Sequence, residues 1–125
     1  MPKKVKSEEI KEKSKKTVKA PEYLPNIYTG FTGQYPEIAR ALDNLAEVCQ
    51  KSGPLDKKTS ELFKLGVAIG VNSEGSVRSH ARRALEEGNS IDEIRHAVLL
   101  SITTAGYPHA MAAYKWVEEV LEKNQ

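Results

Sequence analysis

Apolar residues recur every three or four positions along most of the chain, which is the spacing of amphipathic helices. No stretch alternates with a period of two, and no short hairpin turn is present. We therefore predict an all-α fold, a bundle of about five to six helices. The clearest predicted helices occupy residues 36–50, 56–71, 73–87, 90–105 and 108–121.

Residues that cap helices stand at the predicted helix starts. Asp56 precedes the second predicted helix, and Asn72 or Ser73 precedes the third. Ser90 and Glu93 have the spacing of a capping box at the start of the fourth. Because almost no residues separate the second helix from the third, these two helices must fold back sharply on each other.

The apolar content predicts which segments are buried. Residues 65–71 are nearly all apolar or glycine, so we expect this part to be buried, with Gly66 and Gly70 allowing a close backbone approach. Cys49 continues the apolar stripe of the first predicted helix and is expected to be a small buried side chain. Residues 21–34 contain two prolines and two glycines, and we expect them to be irregular. The apolar second and third helices exceed what so small a monomer covers, which suggests an oligomer.

Charge divides the chain unevenly. The 125 residues carry a net charge of +2, but residues 1–20 hold eight lysines against three glutamates, so residues 21–125 are net acidic. We expect residues 1–20 to form a flexible basic tail or a loosely formed first helix, ahead of a helical domain over 21–125. The tail lacks arginine and aromatic residues, so nucleic-acid binding is kept only as a minor alternative.

Several classes of protein are excluded by composition. No apolar run approaches the ~20 residues that cross a bilayer, and the first 20 residues lack the apolar core of a secretory signal. We expect no membrane partner and a cytoplasmic protein. The single cysteine, Cys49, rules out an internal disulfide and a CxxC motif. His96 and His109 have no carboxylate or cysteine at ligand spacing, so we predict no metal site.

Four residues around the second and third helices could form a proton-transfer site. Ser73 and Ser76 fall in the first turn of the third helix, where free backbone N–H groups favour negative charge. His80 lies one turn after Ser76, and the fold-back would let Glu61 reach it. Other interpretations stay open, because Ser73 could be only a cap, His80 a surface histidine, and Glu61 a solvated partner of nearby lysines.

The run from Glu61 to His80 resembles the motif of the carboxymuconolactone decarboxylase/AhpD family. In that motif a glutamate precedes a CxxC pair, and a histidine follows the second cysteine by four residues. Ser73 and Ser76 stand where the two cysteines would be. Three downstream segments resemble the decarboxylase branch, which lacks the cysteine pair: residues 78–84, 88–94 and 105–113. Glu61 is instead a feature of the peroxidase branch, so the sequence mixes both.

The resemblance implies one of two chemistries. The peroxidase cycle of AhpD is chemically excluded, because serine has no accessible anion near neutral pH and forms no disulfide. The decarboxylase branch implies removal of CO₂ from a small lactone carboxylic acid without a cofactor. In that scheme His80 is the acid/base, and Glu61 orients it or stabilises its protonated form. Ser73, Ser76 and the helix N-terminus would bind the substrate carboxylate, helped by Arg78 or Arg82.

Two alternatives accompany this hypothesis. The chain could be an AhpD-like antioxidant family member that has lost the thiol cycle. It could also be a non-catalytic oligomeric protein that binds a small acid. The resemblance further implies a ring-like homo-oligomer, a hexamer built as a trimer of dimers.

Overall fold

The computed structural model describes residues 26–124, and helices account for most of them. No strand occurs within this range, and the prediction of an all-α fold is confirmed. The predicted basic tail, residues 1–20, lies outside the described residues. The helices are α1 Asn26–Gln34, α2 Pro36–Lys51, α3 Lys57–Gly70, α4 Glu74–Glu86, α5 Ile91–Ala105 and α6 Tyr107–Lys123.

Side-chain caps start three of these helices as the sequence predicts. Asp56, Ser73 and Ser90 each accept a hydrogen bond from the backbone N–H three residues later. At α5 the bond is reciprocal, because Glu93 accepts from the backbone N–H of Ser90 at 2.8 Å. These caps satisfy backbone donors that the first helical turn leaves unpaired. They fix where α3, α4 and α5 begin.

The described residues divide into two compact units between Pro54 and Leu55, with α1 and α2 in the first and α3 to α6 in the second. In the first unit, α1 corrects the expectation of an irregular segment over residues 26–34, and residues 21–25 lie outside the described residues. The rings of Phe31 and Tyr35, four residues apart, lie with their centroids 5.4 Å from each other. Tyr35 directly follows the last residue of α1, and its backbone N–H donates to the Phe31 carbonyl at 2.8 Å, so the ring contact packs against the C-terminal end of the helix.

Helix α2 shows that an apolar stripe does not by itself bury a residue. Its large apolar side chains Ile38, Leu42, Leu45 and Val48 are exposed. Cys49 is exposed as well, and the expectation that it is buried is wrong for this single chain. A stripe of this kind gives a helix a face suited to burial, but the covering surface has to come from elsewhere.

Helices α3 to α6 form the second unit and enclose its core. Small residues of α4 and α6, among them Ala81, Ala84, Ala110 and Ala113, are fully buried and let helix backbones approach closely. The larger core side chains come from all four helices: Leu65, Ile69, Val77, Ile94, Val98, Val117, Val120 and Leu121.

Helices α3 and α4 are joined at both ends of the pair. At the turn, Asn72 adopts a left-handed conformation with φ of 57°, and the Ser73 backbone N–H donates to the Ala68 carbonyl at 3.1 Å. At the opposite end Asn89, which is 4% exposed, donates from Nδ2 to the carbonyls of Lys58 at 3.0 Å and Ala84 at 3.1 Å. The sharp fold-back that the sequence predicts is therefore confirmed.

The burial of α3 is less complete than predicted. Leu65, Ala68 and Ile69 are buried, but Val67 and Val71 are exposed. No described atom of another part of the chain lies within 4 Å of a β-carbon placed at Gly66 or Gly70, so none of the other described helices approaches there closely. Large apolar side chains are also exposed on α5, whereas α4 exposes none. The exposed large aliphatic side chains of the described helices therefore lie on α2, α3 and α5, and α6 adds the exposed rings of Tyr107 and Tyr114.

None of the helices in the described range is both long and apolar enough to span a membrane.

Candidate functional site

Glu61 and His80 meet across the α3–α4 pair. Glu61 lies one turn into α3, and His80 lies near the middle of α4. A carboxylate oxygen of Glu61 lies 2.7 Å from Nδ1 of His80. The two side chains are only 12% and 19% exposed, so they are largely withdrawn from solvent. The open surface histidine that the sequence left possible is not what the structure contains.

The surroundings of Glu61 keep it ionised. Burial by itself raises the pKa of this carboxyl group, but the hydrogen bond with His80 and the positive charges of His80, Arg83 and Lys64 outweigh burial and lower it. An ionised carboxylate only accepts hydrogen bonds, so Nδ1 of His80 donates to it. The other ring nitrogen, Nε2, has no hydrogen-bond partner among residues 26–124.

This arrangement is suited to proton transfer. With Nδ1–H committed to Glu61, the neutral ring presents a lone pair at Nε2, and the protonated ring presents an N–H donor there. Nε2 can therefore act as a base or as an acid toward a molecule beside it. Glu61 fixes both the tautomer and the orientation of the ring.

Acid titration should reveal the contribution of ionised Glu61 to the free energy of unfolding. Its pKa in the folded protein lies below the ordinary value of 4.5, so its stabilising effect is present above pH 4.5 and is lost as the pH falls through the folded-state value. We expect the free energy of unfolding of Glu61→Gln to be lower than that of the wild type near neutral pH. The difference should shrink below pH 4.5. Denaturant titrations at several pH values measure it, and a difference independent of pH would contradict the assignment.

Ser73 and Ser76 lie at the N-terminus of α4, one turn before His80. The Ser73 hydroxyl accepts a hydrogen bond from the backbone N–H of Ser76 at 3.4 Å, so Ser73 is an N-cap. The Ser76 hydroxyl makes no hydrogen bond with a described residue. The structure therefore supports a capping role for Ser73 and leaves the Ser76 hydroxyl free to meet a ligand.

Arg78 and Arg82 lie on another face of α4 from His80. Each is two residues from His80, a rotation of ~200° about the helix axis. Arg78 is paired with Glu74 at 3.0 Å and with Glu119 of α6. Arg82 donates to Glu86 at 3.1 Å. The structure thus does not bring these two arginines, which the sequence suggested as substrate ligands, to the Glu61–His80 pair.

Two other cations do lie beside the pair, and the sequence analysis named neither as a site residue, although it allowed nearby lysines as partners of Glu61. Arg83 follows His80 by three residues and Lys64 follows Glu61 by three, so each lies next to its neighbour on the helix surface. The positive charges of Arg83 and Lys64 both help to lower the pKa of Glu61. Both side chains are half-buried. The signal was available, because three-residue spacing places side chains on one face and two-residue spacing does not.

A separate groove lies between α3 and α5 and does not include Glu61 or His80. Its volume is about 480 Å³, and its lining is mainly apolar, with Leu62, Phe63, Val67 and Leu100 prominent. His96 also lines it. Within residues 26–124 no three side chains of the metal-binding types cluster, and none of the histidines lies in such a group.

Comparison with known proteins identifies the family. Residues 36–119 match the model of the carboxymuconolactone decarboxylase family. The chain belongs to the carboxymuconolactone decarboxylase family. The match covers α2 to α5 and most of α6, and it includes Glu61, His80 and both serines.

Relatives of known structure show the same fold. A carboxymuconolactone decarboxylase family protein from Legionella pneumophila, in its apo form, is 24% identical and superposes with a TM-score of 0.67, covering 78% of this chain and 88% of that one. A family member from Thermotoga maritima, for which involvement in an antioxidative response has been suggested, is 30% identical with a TM-score of 0.55. It covers 70% of this chain and 95% of that one.

One similar sequence comes from an archaeon. An uncharacterized protein of Methanocaldococcus jannaschii is 30% identical over 87 residues, which are 70% of this chain and 78% of that protein. The resemblance seen in the sequence is thus confirmed at the level of family and fold. Membership alone does not distinguish decarboxylation from other activities of the family.

Proposed function

We propose that this family member is a cofactor-independent decarboxylase of a small lactone carboxylic acid, with His80 as the acid/base. The observation that supports the proposal best is the 2.7 Å contact between Glu61 and Nδ1 of His80. It leaves Nε2 as the proton-transfer atom of a largely enclosed histidine. Serines at positions 73 and 76 agree with a chemistry that uses no thiol.

The proposed reaction is a decarboxylation followed by protonation of carbon. The bond between the substrate carboxylate and its carbon breaks, CO₂ leaves, and the electron pair spreads into the lactone carbonyl. The protonated ring of His80 donates its Nε2 proton to the carbanionic carbon. A proton from solvent then restores the imidazolium. Glu61 holds the ring, and backbone N–H groups at the N-terminus of α4, with the Ser76 hydroxyl, stabilise negative charge on the substrate.

The test is direct. The full chain is incubated with carboxymuconolactone and with simpler lactone acids, and both CO₂ and the decarboxylated lactone are quantified by NMR. Equimolar release of CO₂ and product supports the proposal. Saturable binding of these acids without release would favour the non-catalytic binding protein.

Similarity to the Thermotoga protein raises an antioxidative role as the second candidate. In this chain such a role cannot run through a disulfide between positions 73 and 76, since both are serines. Cys49 is exposed on α2 and is the chain's single cysteine. Peroxide consumption with a dithiol reductant is the corresponding assay, and we expect none above the uncatalysed rate.

We also propose that the chain assembles as a ring-like homo-oligomer, a trimer of dimers. The support is the amount of large apolar surface that the single chain leaves exposed on α2, α3 and α5. Sedimentation velocity at micromolar concentration should show a hexamer. To localise the contact, Leu42→Asp should weaken assembly, whereas Asp43→Asn, on the neighbouring position, should not. A monomer in the wild-type protein would contradict the proposal.

A further inference from the structure

The second unit contains four arginines, and one of them differs from the rest. Three are hydrogen-bonded to glutamates: Arg78 to Glu74 and Glu119, Arg82 to Glu86, and Arg95 to Glu118. Among residues 29–124, whose side chains the structure describes, none is hydrogen-bonded to the guanidinium of Arg83. A half-buried guanidinium carries five donors in a fixed planar arrangement that matches a carboxylate.

Arg83 lies beside His80, the proposed reacting residue. It follows His80 by three residues on α4, so the two side chains are neighbours on one face. Its charge reaches Glu61, yet the carboxylate of Glu61 is engaged by Nδ1 of His80 at 2.7 Å. Arg83 is therefore close to the pair without being neutralised by a direct bond to it.

The charges of Arg83 and Lys64 both act on Glu61, in addition to that of His80. Glu86 and Glu87 follow Arg83 by three and four residues, but both are exposed, and Glu86 is hydrogen-bonded to Arg82 at 3.1 Å. No carboxylate of the described side chains is hydrogen-bonded to Arg83, and a protonated ring of His80 adds a further positive charge beside it. An anion bound beside Nε2 would be attracted by both cations, in a site where partial burial limits the screening by solvent.

The direction of electron flow decides which anion Arg83 can usefully hold. During loss of CO₂, negative charge leaves the reacting carboxylate. A cation bound to that group would stabilise the ground state more than the transition state, and it would slow the reaction. A cation bound to a group that keeps its charge stabilises both states and serves to position the substrate.

We propose that Arg83 is the anion anchor of this site, binding a carboxylate of the substrate that stays in the product, with Lys64 adding a second positive charge beside it. The inference rests on the proposed function and adds to it a specificity-determining residue. The ligand class is a small organic acid whose anchored carboxylate is separate from the group lost at the reacting carbon. Arg83 thereby sets which carbon faces Nε2 of His80.

Binding to a matched pair of probes tests this without requiring turnover. The probes are (5-oxotetrahydrofuran-2-yl)acetate, a lactone whose one carboxylate is on a side chain and not on the ring carbon, and its uncharged methyl ester, titrated into the full chain by calorimetry. We expect the wild type to prefer the acid. Arg83→Gln should raise the Kd of the acid by about tenfold to a hundredfold, as expected for loss of a charge-assisted hydrogen bond. Arg83→Lys should keep part of the preference, and Arg95→Gln, which removes an equal charge on α5, should keep all of it.

Other results would overturn the anchor. These are an unchanged Kd in Arg83→Gln, an equal loss in Arg95→Gln, or a wild type that does not prefer the acid. Kinetics separate this inference from the proposed decarboxylation. If the enzyme turns over a lactone acid and Arg83→Gln leaves KM unchanged, the anchor is contradicted and the decarboxylase proposal stands. If binding of the acid depends on Arg83 but no lactone acid releases CO₂, the anchor stands and the decarboxylase proposal is contradicted. If both hold, Arg83→Gln should raise KM with little change in kcat.

Discussion

Replacing His80 by alanine should lower the turnover of a lactone acid by about 10²–10⁴-fold, the usual contribution of general acid–base catalysis. The reason is that Nε2 of His80 is the proton donor left available once Nδ1 is committed to Glu61 at 2.7 Å. The loss should appear in kcat, because the proton is transferred in the transition state and the ring is not needed to bind the substrate. Steady-state kinetics with the best substrate found give the measurement.

The matched control for this variant is His96→Ala. His96 is an exposed histidine of α5 in the groove away from Glu61, so its loss should leave kcat unchanged. Far-ultraviolet circular dichroism should show that both variants remain helical. Turnover by His80→Ala at the wild-type rate would show that another group transfers the proton and would contradict the assignment of His80.

The largest loss of stability should come from the core of the second unit. Leu65 of α3 is 0% exposed, and Leu65→Ala should lower the free energy of unfolding by about 2–5 kcal/mol through lost burial and the cavity that remains. Phe63, two residues earlier, is 63% exposed. Phe63→Ala removes a larger side chain and should nevertheless cost less. Urea unfolding of dilute protein compares the two, and a greater loss for Phe63→Ala would contradict the burial pattern.

The elements of this fold follow closely from the sequence because their determinants are local. Asp56, Ser73 and Ser90 act on backbone N–H groups three residues away, so the caps could be recognised without knowledge of the tertiary structure. The reach of Glu61 to His80 followed from a turn too short for any arrangement other than an antiparallel pair. The family resemblance rested on the same stretch of residues.

Burial and side-chain direction could not be predicted to the same depth. The stripe of α2 marked Cys49 as a candidate for burial, but burial depends on a covering surface that periodicity does not specify. Arg78 and Arg82 were suggested as ligands from their closeness to His80 in sequence. The structure pairs them with Glu119 and Glu86, and their role as substrate ligands stays a prediction. Glu119 lies 41 residues from Arg78, so local spacing could not reveal that pairing. Arg83, which carries no such partner in the described range, was overlooked.

Asn89 has a mechanical consequence for the candidate site. Its side chain ties the first turn of α3 to the last turn of α4, while the turn at Asn72 ties their other ends. Because the two helices are connected at both ends, neither can rotate away from the other about a single hinge. Glu61 lies three residues from Lys58, next to one of these two connections. A fluctuation that separates Glu61 from His80 must therefore bend a helix or break one of the connections. The distance between Glu61 and His80 thus depends on both ends of the α3–α4 pair.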